Sequence, residues 1–271
     1  QYDQAYLDYL YRVVQKAGEH GLYVFIDPHQ DVWSRMTGGD GAPGWTLEAA
    51  GFDVTRLDAA EAAFTMQRRH PDYPRRMAWP TNTRRLAGAT LFTLFYAGDR
   101  FAPDFTIEGE SAQAYLERHF IGAMTAVAER LADLPHVIGY NTLNEPNAGY
   151  IGLDSLNREM PTFTEGPRLT FFEGMVIPAG FTRTAPYLKW DENLIPQPQG
   201  TITLNPDRVC AWADPAADIW RQSGVWDVGA DGTPVLLRDD HFAAVDFTHD
   251  CILPHAYRYA KAVRAADPDA I

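Results

Sequence analysis

Two short apolar runs, each closing on a cluster of polar residues, constrain this chain more than any other feature. Leu22-Tyr23-Val24-Phe25-Ile26 runs into Asp27-Pro28-His29-Gln30-Asp31, and Val137-Ile138-Gly139-Tyr140 runs toward Asn144-Glu145-Pro146. β-Branched and aromatic side chains without polar alternation predict strands buried on both faces, as in parallel sheets covered by helices. The strands are expected at about 22–26 and 137–143.

Helical periodicity surrounds them. Tyr6, Leu7, Leu10, Val13, Val14 and Ala17 line one face of a helix over about 5–18, which Gly18 and Gly21 end. Tyr115, Leu116, Phe120, Met124, Val127, Ala128 and Leu131 do the same over about 111–131, before Asp133-Leu134-Pro135. Tyr257, Ala260 and Val263 mark a third helix over about 254–266. Helices alternating with buried strands predict βα units and a parallel sheet. Barrels and doubly wound sheets both hold their chemistry at the C-terminal ends of such strands, where the polar clusters fall.

The segments following the strands, about 32–108 and 147–247, are too long for plain loops. They contain every tryptophan: Trp33, Trp45, Trp79, Trp190, Trp212, Trp220 and Trp226. This predicts ordered insertions over the polar strand ends, with small strands at about Thr201–Leu204 and Val235–Leu237. Trp190, Trp212 and Trp220 are expected in the core of these insertions. Trp79, before Pro80-Thr81-Asn82, is the candidate to line a cleft, since aromatic faces stack on sugar rings and also wall lipid pockets; a tryptophan in the core of the insertion is the equal alternative.

Composition narrows the function. With 36 acidic and 23 basic residues among 271, the formal charge is −13. A non-specific nucleic-acid binder needs a basic face, and so does a protein docked on anionic lipid. No apolar run reaches the ~20 residues of a membrane span. The two cysteines, Cys210 and Cys251, exclude a four-thiolate metal site, and free thiols are expected. The start, Gln1-Tyr2-Asp3-Gln4, has neither an initiator Met nor a leader pattern, so the chain reads as a piece of something longer. Compartment is not set by this sequence, with the cytoplasm slightly favoured.

The chemistry points to Glu145. A carboxylic acid at a buried strand end is expected in a partly dry cleft, which raises its pKa and suits proton transfer to a leaving oxygen. Asn144 offers an amide donor for a sugar hydroxyl. His29 and Asp31, two apart on an extended stretch, point the same way and face one cleft. The competing reading makes Glu145 a turn residue before a breaker proline. A metal reading is poorer, since His29 and Asp31 give two ligands at most; no metal or organic cofactor is expected.

The run from Gly21 to Arg35, the Gly41-Ala42-Pro43-Gly44-Trp45-Thr46 block and the run from Gly139 to Pro146 resemble glycoside hydrolase family 5. More narrowly, they resemble its endoglycoceramidase-like members and the β-glucosidases of glucosylceramides and steryl glucosides. Gly166-Pro167-Arg168-Leu169-Thr170 and Gly224-Val225-Trp226-Asp227 also fit the latter. The resemblance implies a (β/α)₈ TIM barrel, partial in this chain, with residues 1–271 forming part of one catalytic domain. The two strands would be the third and fourth of the barrel. It implies retaining hydrolysis of a β-glucoside, a small-molecule glycoside or glycolipid, with Glu145 as acid/base, Asn144 at the 2-hydroxyl, His29 in the cleft and Asp31 on the non-reducing sugar. The second carboxylate, the nucleophile, belongs to the seventh strand and has no counterpart here. Glu165 and Glu173 carry no strand-end signal and are not assigned that role. A non-catalytic carbohydrate- or lipid-binding barrel is the alternative.

Overall fold

The computed structural model describes residues 2–65, 79–162 and 165–269. In chain order the main elements are α1 (Gln4–Glu19), β1 (Val24–Ile26), α2 (Leu86–Phe101), α3 (Ala112–Leu131) and β2 (Val137–Tyr140). There follow β3 (Glu165–Pro167), β4 (Arg183–Trp190), β5 (Pro196–Leu204), β6 (Trp226–Val228), β7 (Pro234–Leu236) and α4 (Leu253–Ala266). Local chemistry sets the ends. The Asp3 carboxylate accepts the backbone N–H groups of Ala5 and Tyr6 to cap α1, and Ser111 caps α3 through the Ala114 N–H.

The barrel part is a layer of helices on a two-stranded parallel sheet. Phe25 stands opposite Gly139 and Ile26 opposite Tyr140. Val14 of α1, Met124, Ala128 and Leu131 of α3, and Tyr259 and Val263 of α4 pack with Val137 and Tyr140, while Val24 and Ile26 close in from β1. The helix α1 approaches so closely that a Cβ at Gly18 would collide with the His136 ring; the same ring is hydrogen-bonded to the Val14 carbonyl at 2.8 Å.

The opposite face of these strands is open, which corrects the expectation of burial on both faces. Phe25 is 57% and Ile138 43% exposed. A barrel strand shows one face to the helices and the other to an interior filled by side chains of the remaining strands; the described residues supply only β1 and β2 to it. β1 is also shorter than its apolar run, whereas β2 covers its run, Val137–Tyr140, and stops short of the expected 143. Leu22 and Tyr23 precede the ladder, which starts where the Val24 N–H donates to the His136 carbonyl at 2.8 Å.

The insertions form a second core, larger than the first, and unite with each other. Its centre is α2, whose position within the first insertion the periodicity does not reveal. Nearly every residue of α2 from Leu86 to Gly98 is buried, on all sides of the helix. Trp33 packs edge-on against Phe92 of α2, at 5.2 Å between ring centroids, and its indole donates to the Thr46 hydroxyl at 3.0 Å. Trp220 reaches α2 from the second insertion and donates to Thr90 at 2.9 Å. Trp212 stacks on Phe52 at 4.2 Å. Trp212 and Trp220 are fully buried and Trp190 half-buried. Each buried indole withdraws about 150–250 Å² from water, an upper-bound transfer gain of roughly 4–6 kcal/mol. The strands β3, β4 and β5 form an antiparallel sheet, and β6 pairs with β7. Both cysteines are free.

Candidate active site

The ends of β1 and β2 stay joined beyond the strands. The Asn141 N–H donates to the Ile26 carbonyl at 2.8 Å and the Asn144 N–H to the Pro28 carbonyl at 3.1 Å. His29, Asp31, Asn144 and Glu145 therefore emerge from one edge of the sheet, as their strand-end positions predict. The Asn141 side chain adds a bond of 2.8 Å to the Asp27 carboxylate.

Both chains then turn through conformations that L residues rarely adopt. Val32 and Trp33 have φ of 46° and 82°, and Glu145 has φ of 44°. Each such residue costs of order 1 kcal/mol or more. For Glu145 the cost is compounded, because a residue before proline is driven toward extended backbone.

Gln30 sits between these turns. Its Nε2 donates to the carbonyls of Asn144 and Glu145, each at 2.9 Å, and its Oε1 accepts the Trp33 N–H at 3.1 Å. The residue is buried, at 6% exposure. Its amide orientation is dictated by its partners, two acceptors on one side and a donor on the other. The sequence reading assigns this residue no role, although the signal is present. If His29 and Asp31 point outward on an extended stretch, the residue between them points inward.

His29 is exposed, and its Nε2 lies 3.2 Å from Asp31 Oδ2 and 3.8 Å from Asp40 Oδ1. The hydrogen bond to Asp31 pushes the imidazole pKa above its ordinary value; slight burial opposes this, and the charges of Asp31, Asp40 and Asp27 assist. Asp40 is an addition to the expected site. A backbone bridge, with N–H to carbonyl bonds of 3.2 and 3.1 Å in the two directions, brings it beside Asp31. The ligand atoms of His29, Asp31 and Asp40 lie within 4.8 Å of one another, so these three could face a cation together. Two of the three are exposed, and acidic groups gather in this way without one. Carboxylates at this spacing can equally accept hydrogen bonds from hydroxyl groups.

Glu145 corrects one expectation. Its side chain is exposed, not partly dry, and it accepts no hydrogen bond from the described residues. The remaining walls of a barrel mouth come from other strand ends, and the described chain supplies two. Asn144 is half-buried, and among the described residues its amide makes only a 3.5 Å contact, with the Gln30 carbonyl. The backbone of Trp79 begins a 3₁₀ turn, Trp79–Arg84, but its side chain lies outside the described residues. Glu173 is occupied elsewhere: it caps the helical turn Phe171–Val176 by accepting the Thr170 N–H at 2.9 Å and pairs with Arg183 at 2.7 Å.

The described residues thus place a carboxylic acid, an amide and an imidazole–carboxylate pair at the C-terminal ends of two parallel strands under a helical layer. Residues 1–159 match the cellulase family, glycosyl hydrolase family 5, and the chain belongs to it. The fold is accordingly part of a (β/α)₈ barrel. A glucosylceramidase of Rhizopus delemar is 36% identical over 97% of this chain and 40% of its own length. The ergosteryl-beta-glucosidase of Saccharomyces cerevisiae is 33% identical over 92% of this chain and 38% of its own. The crystal structure of Cryptococcus neoformans sterylglucosidase 1 superposes with a TM-score of 0.89 at 34% identity, covering all of this chain and 43% of that one. The chain thus spans about two-fifths of the length of the curated relatives it matches.

Proposed function

We propose that the complete protein containing this chain is a retaining β-glucosidase acting on a glucoside with a lipid aglycone, a glucosylceramide or a steryl glucoside. One observation carries the reading: Glu145 leaves β2 beside the end of β1, so that acid, Asn144 amide and His29–Asp31 pair share one edge. The named activities of the relatives support the lipid aglycone.

In this reading Glu145, protonated, gives its proton to the glycosidic oxygen as a nucleophilic carboxylate, outside this chain, attacks the anomeric carbon. The bond to the aglycone breaks and a covalent glucosyl-enzyme forms. Glu145, now ionised, takes a proton from water, which attacks the anomeric carbon and releases glucose. Asn144 holds the 2-hydroxyl, and His29 with Asp31 grips hydroxyls of the same sugar. Glu145 thus acts as acid in the first step and as base in the second.

The test is the complete protein and its Glu145→Gln variant, on a steryl or alkyl β-glucoside and on an activated aryl β-glucoside. Loss of the acid should reduce cleavage of the poor leaving group by about 10²–10⁴-fold and spare the glycosylation step for the activated one. Equal turnover of the alkyl glucoside by both proteins contradicts the assignment. Binding of the glucoside without turnover by the unmutated protein favours the non-catalytic barrel.

A further inference from the structure

We propose that Gln30 is a positioning residue for the acid/base: it holds the Glu145 main chain in the conformation that presents the carboxyl group to substrate. The inference rests on the reading of Glu145 given above.

Three observations converge on it. First, both hydrogens of the Gln30 amide are spent on consecutive carbonyls, those of Asn144 and Glu145, at 2.9 Å each. Bonds to these two carbonyls hold both peptide planes that meet at the Glu145 Cα, and with them the direction of its Cα–Cβ bond. A single bond would leave the other plane free to rock.

Second, the conformation being held is unfavourable in itself. Glu145 combines a φ of 44° with a following proline, and such backbone persists only where its surroundings over-determine it. The only side chain among the described residues that hydrogen-bonds these two carbonyls is Gln30.

Third, Gln30 is itself held by the segment that follows β1. Its Oε1 accepts the N–H of Trp33, a residue with a φ of 82° whose ring is locked against Phe92 in the insertion core. The carboxamide therefore ties Glu145 to a rigid body. Placement within a few tenths of an ångström is what separates an effective proton donor from a nearby carboxyl group.

Other side chains of similar size do not supply this pattern from this site. A glutamate in place of Gln30 would keep an acceptor for Trp33 but turn a second oxygen toward two carbonyls. A methionine would keep the volume and lose every bond.

The experiment uses the complete protein carrying Gln30→Glu or Gln30→Met, with thermal melting as a check on folding. Initial rates are measured on an alkyl β-glucoside and on 2,4-dinitrophenyl β-glucoside, whose departure needs little proton donation. A positioning role predicts that kcat/KM for the alkyl glucoside falls by about 30-fold or more, a large part of the ~10²–10⁴-fold that a general acid contributes. For the dinitrophenyl glucoside it stays within about threefold. A merely structural role lowers both substrates together, and that result overturns the proposal. So does an unchanged rate on both, or failure of both variants to fold. The Glu145→Gln protein, measured alongside, separates the two levels. If it too cleaves the alkyl glucoside normally, the acid/base reading has failed; if it is crippled while the Gln30 variants are not selective, only the positioning role has.

Discussion

The Asn144 N–H donates to the carbonyl of Pro28 at 3.1 Å, and the preceding bond of the same series joins Asn141 to Ile26. Three residues of advance on one segment thus match two on the other, and the pairing continues past the end of the ladder. Pro28 has no N–H, so it accepts without competing for a partner of its own. The acid-bearing segment is thus tied to the end of β1, and the features that surround it lead to measurable expectations.

Glu117 of α3 joins α4 through two bonds, to His255 Nδ1 at 2.7 Å and Arg258 Nε at 2.9 Å. Burial pushes its carboxyl pKa upward, but the hydrogen bonds and charges of His255 and Arg258 outweigh it and hold the group below its ordinary value. Glu117 and His255 are buried but Arg258 is exposed, so solvent screens part of the set and removing the carboxylate should cost about 1–3 kcal/mol. Glu117→Gln in the complete protein should lower the denaturant midpoint at pH 7 accordingly. Because the folded pKa is depressed, the contribution is present above the ordinary carboxylate range and is lost as pH falls through the folded value. The gap between the two proteins should close in strong acid. Equal midpoints at pH 7 would contradict this account of the α3–α4 contact.

Thr90 and Trp220 link the two insertions by one buried bond of 2.9 Å. Thr90→Val strands the indole N–H inside the core and should cost about 1–3 kcal/mol. In a Trp220→Phe background there is no donor to strand, so the same substitution should cost less than half as much. Chemical denaturation of the four proteins of this cycle measures the coupling. Strict additivity would mean that the bond does not hold the insertions together.

The imidazole of His29 should titrate above a free histidine, because the ionised form gains the Asp31 hydrogen bond. Asp31→Asn should bring the midpoint down, as followed by the ring-proton shifts in an NMR titration. A raised histidine pKa stabilises the fold fully below the unfolded value, and the benefit disappears as pH rises through the folded one. An unchanged titration in Asp31→Asn would show that Asp31 does not control the charge at this edge.

Much of the barrel layer is legible in the sequence because its helices are amphipathic and its strands end in abrupt polarity. The expected helix over about 111–131 stands beside an observed Ala112–Leu131. The helix α2 is not legible, and the reason is its environment. Leu86 to Gly98 is packed on every side, so no polar face imposes a 3.6-residue rhythm, and its small residues read as loop. Leu22 and Tyr23 mislead in the opposite sense: they continue an apolar run yet precede the ladder.

The shared sheet edge of Glu145, Asn144, His29 and Asp31 is legible from strand-end position, whereas the approach of Asp40 to it is not. It arrives by a loop that returns on itself, and spacing along the chain does not encode a return. Gln30 escapes notice because a polar residue beside a cleft invites a reading toward substrate, while alternation along the stretch turns it inward. The burial expected for Glu145 is an inference about a whole barrel mouth; two strand ends leave that side chain in solvent.

The central claim, that Glu145 is the acid/base of a retaining glycosidase, is tested most directly by chemical rescue. In the complete protein carrying Glu145→Ala, an activated aryl β-glucoside should still load the enzyme, and water should attack the glucosyl-enzyme slowly for want of a base. Azide needs no base, so its addition should raise turnover and yield β-glucosyl azide, identified by the coupling constant of its anomeric proton. Azide without effect on a slowed enzyme, or a product of α configuration, would contradict the account.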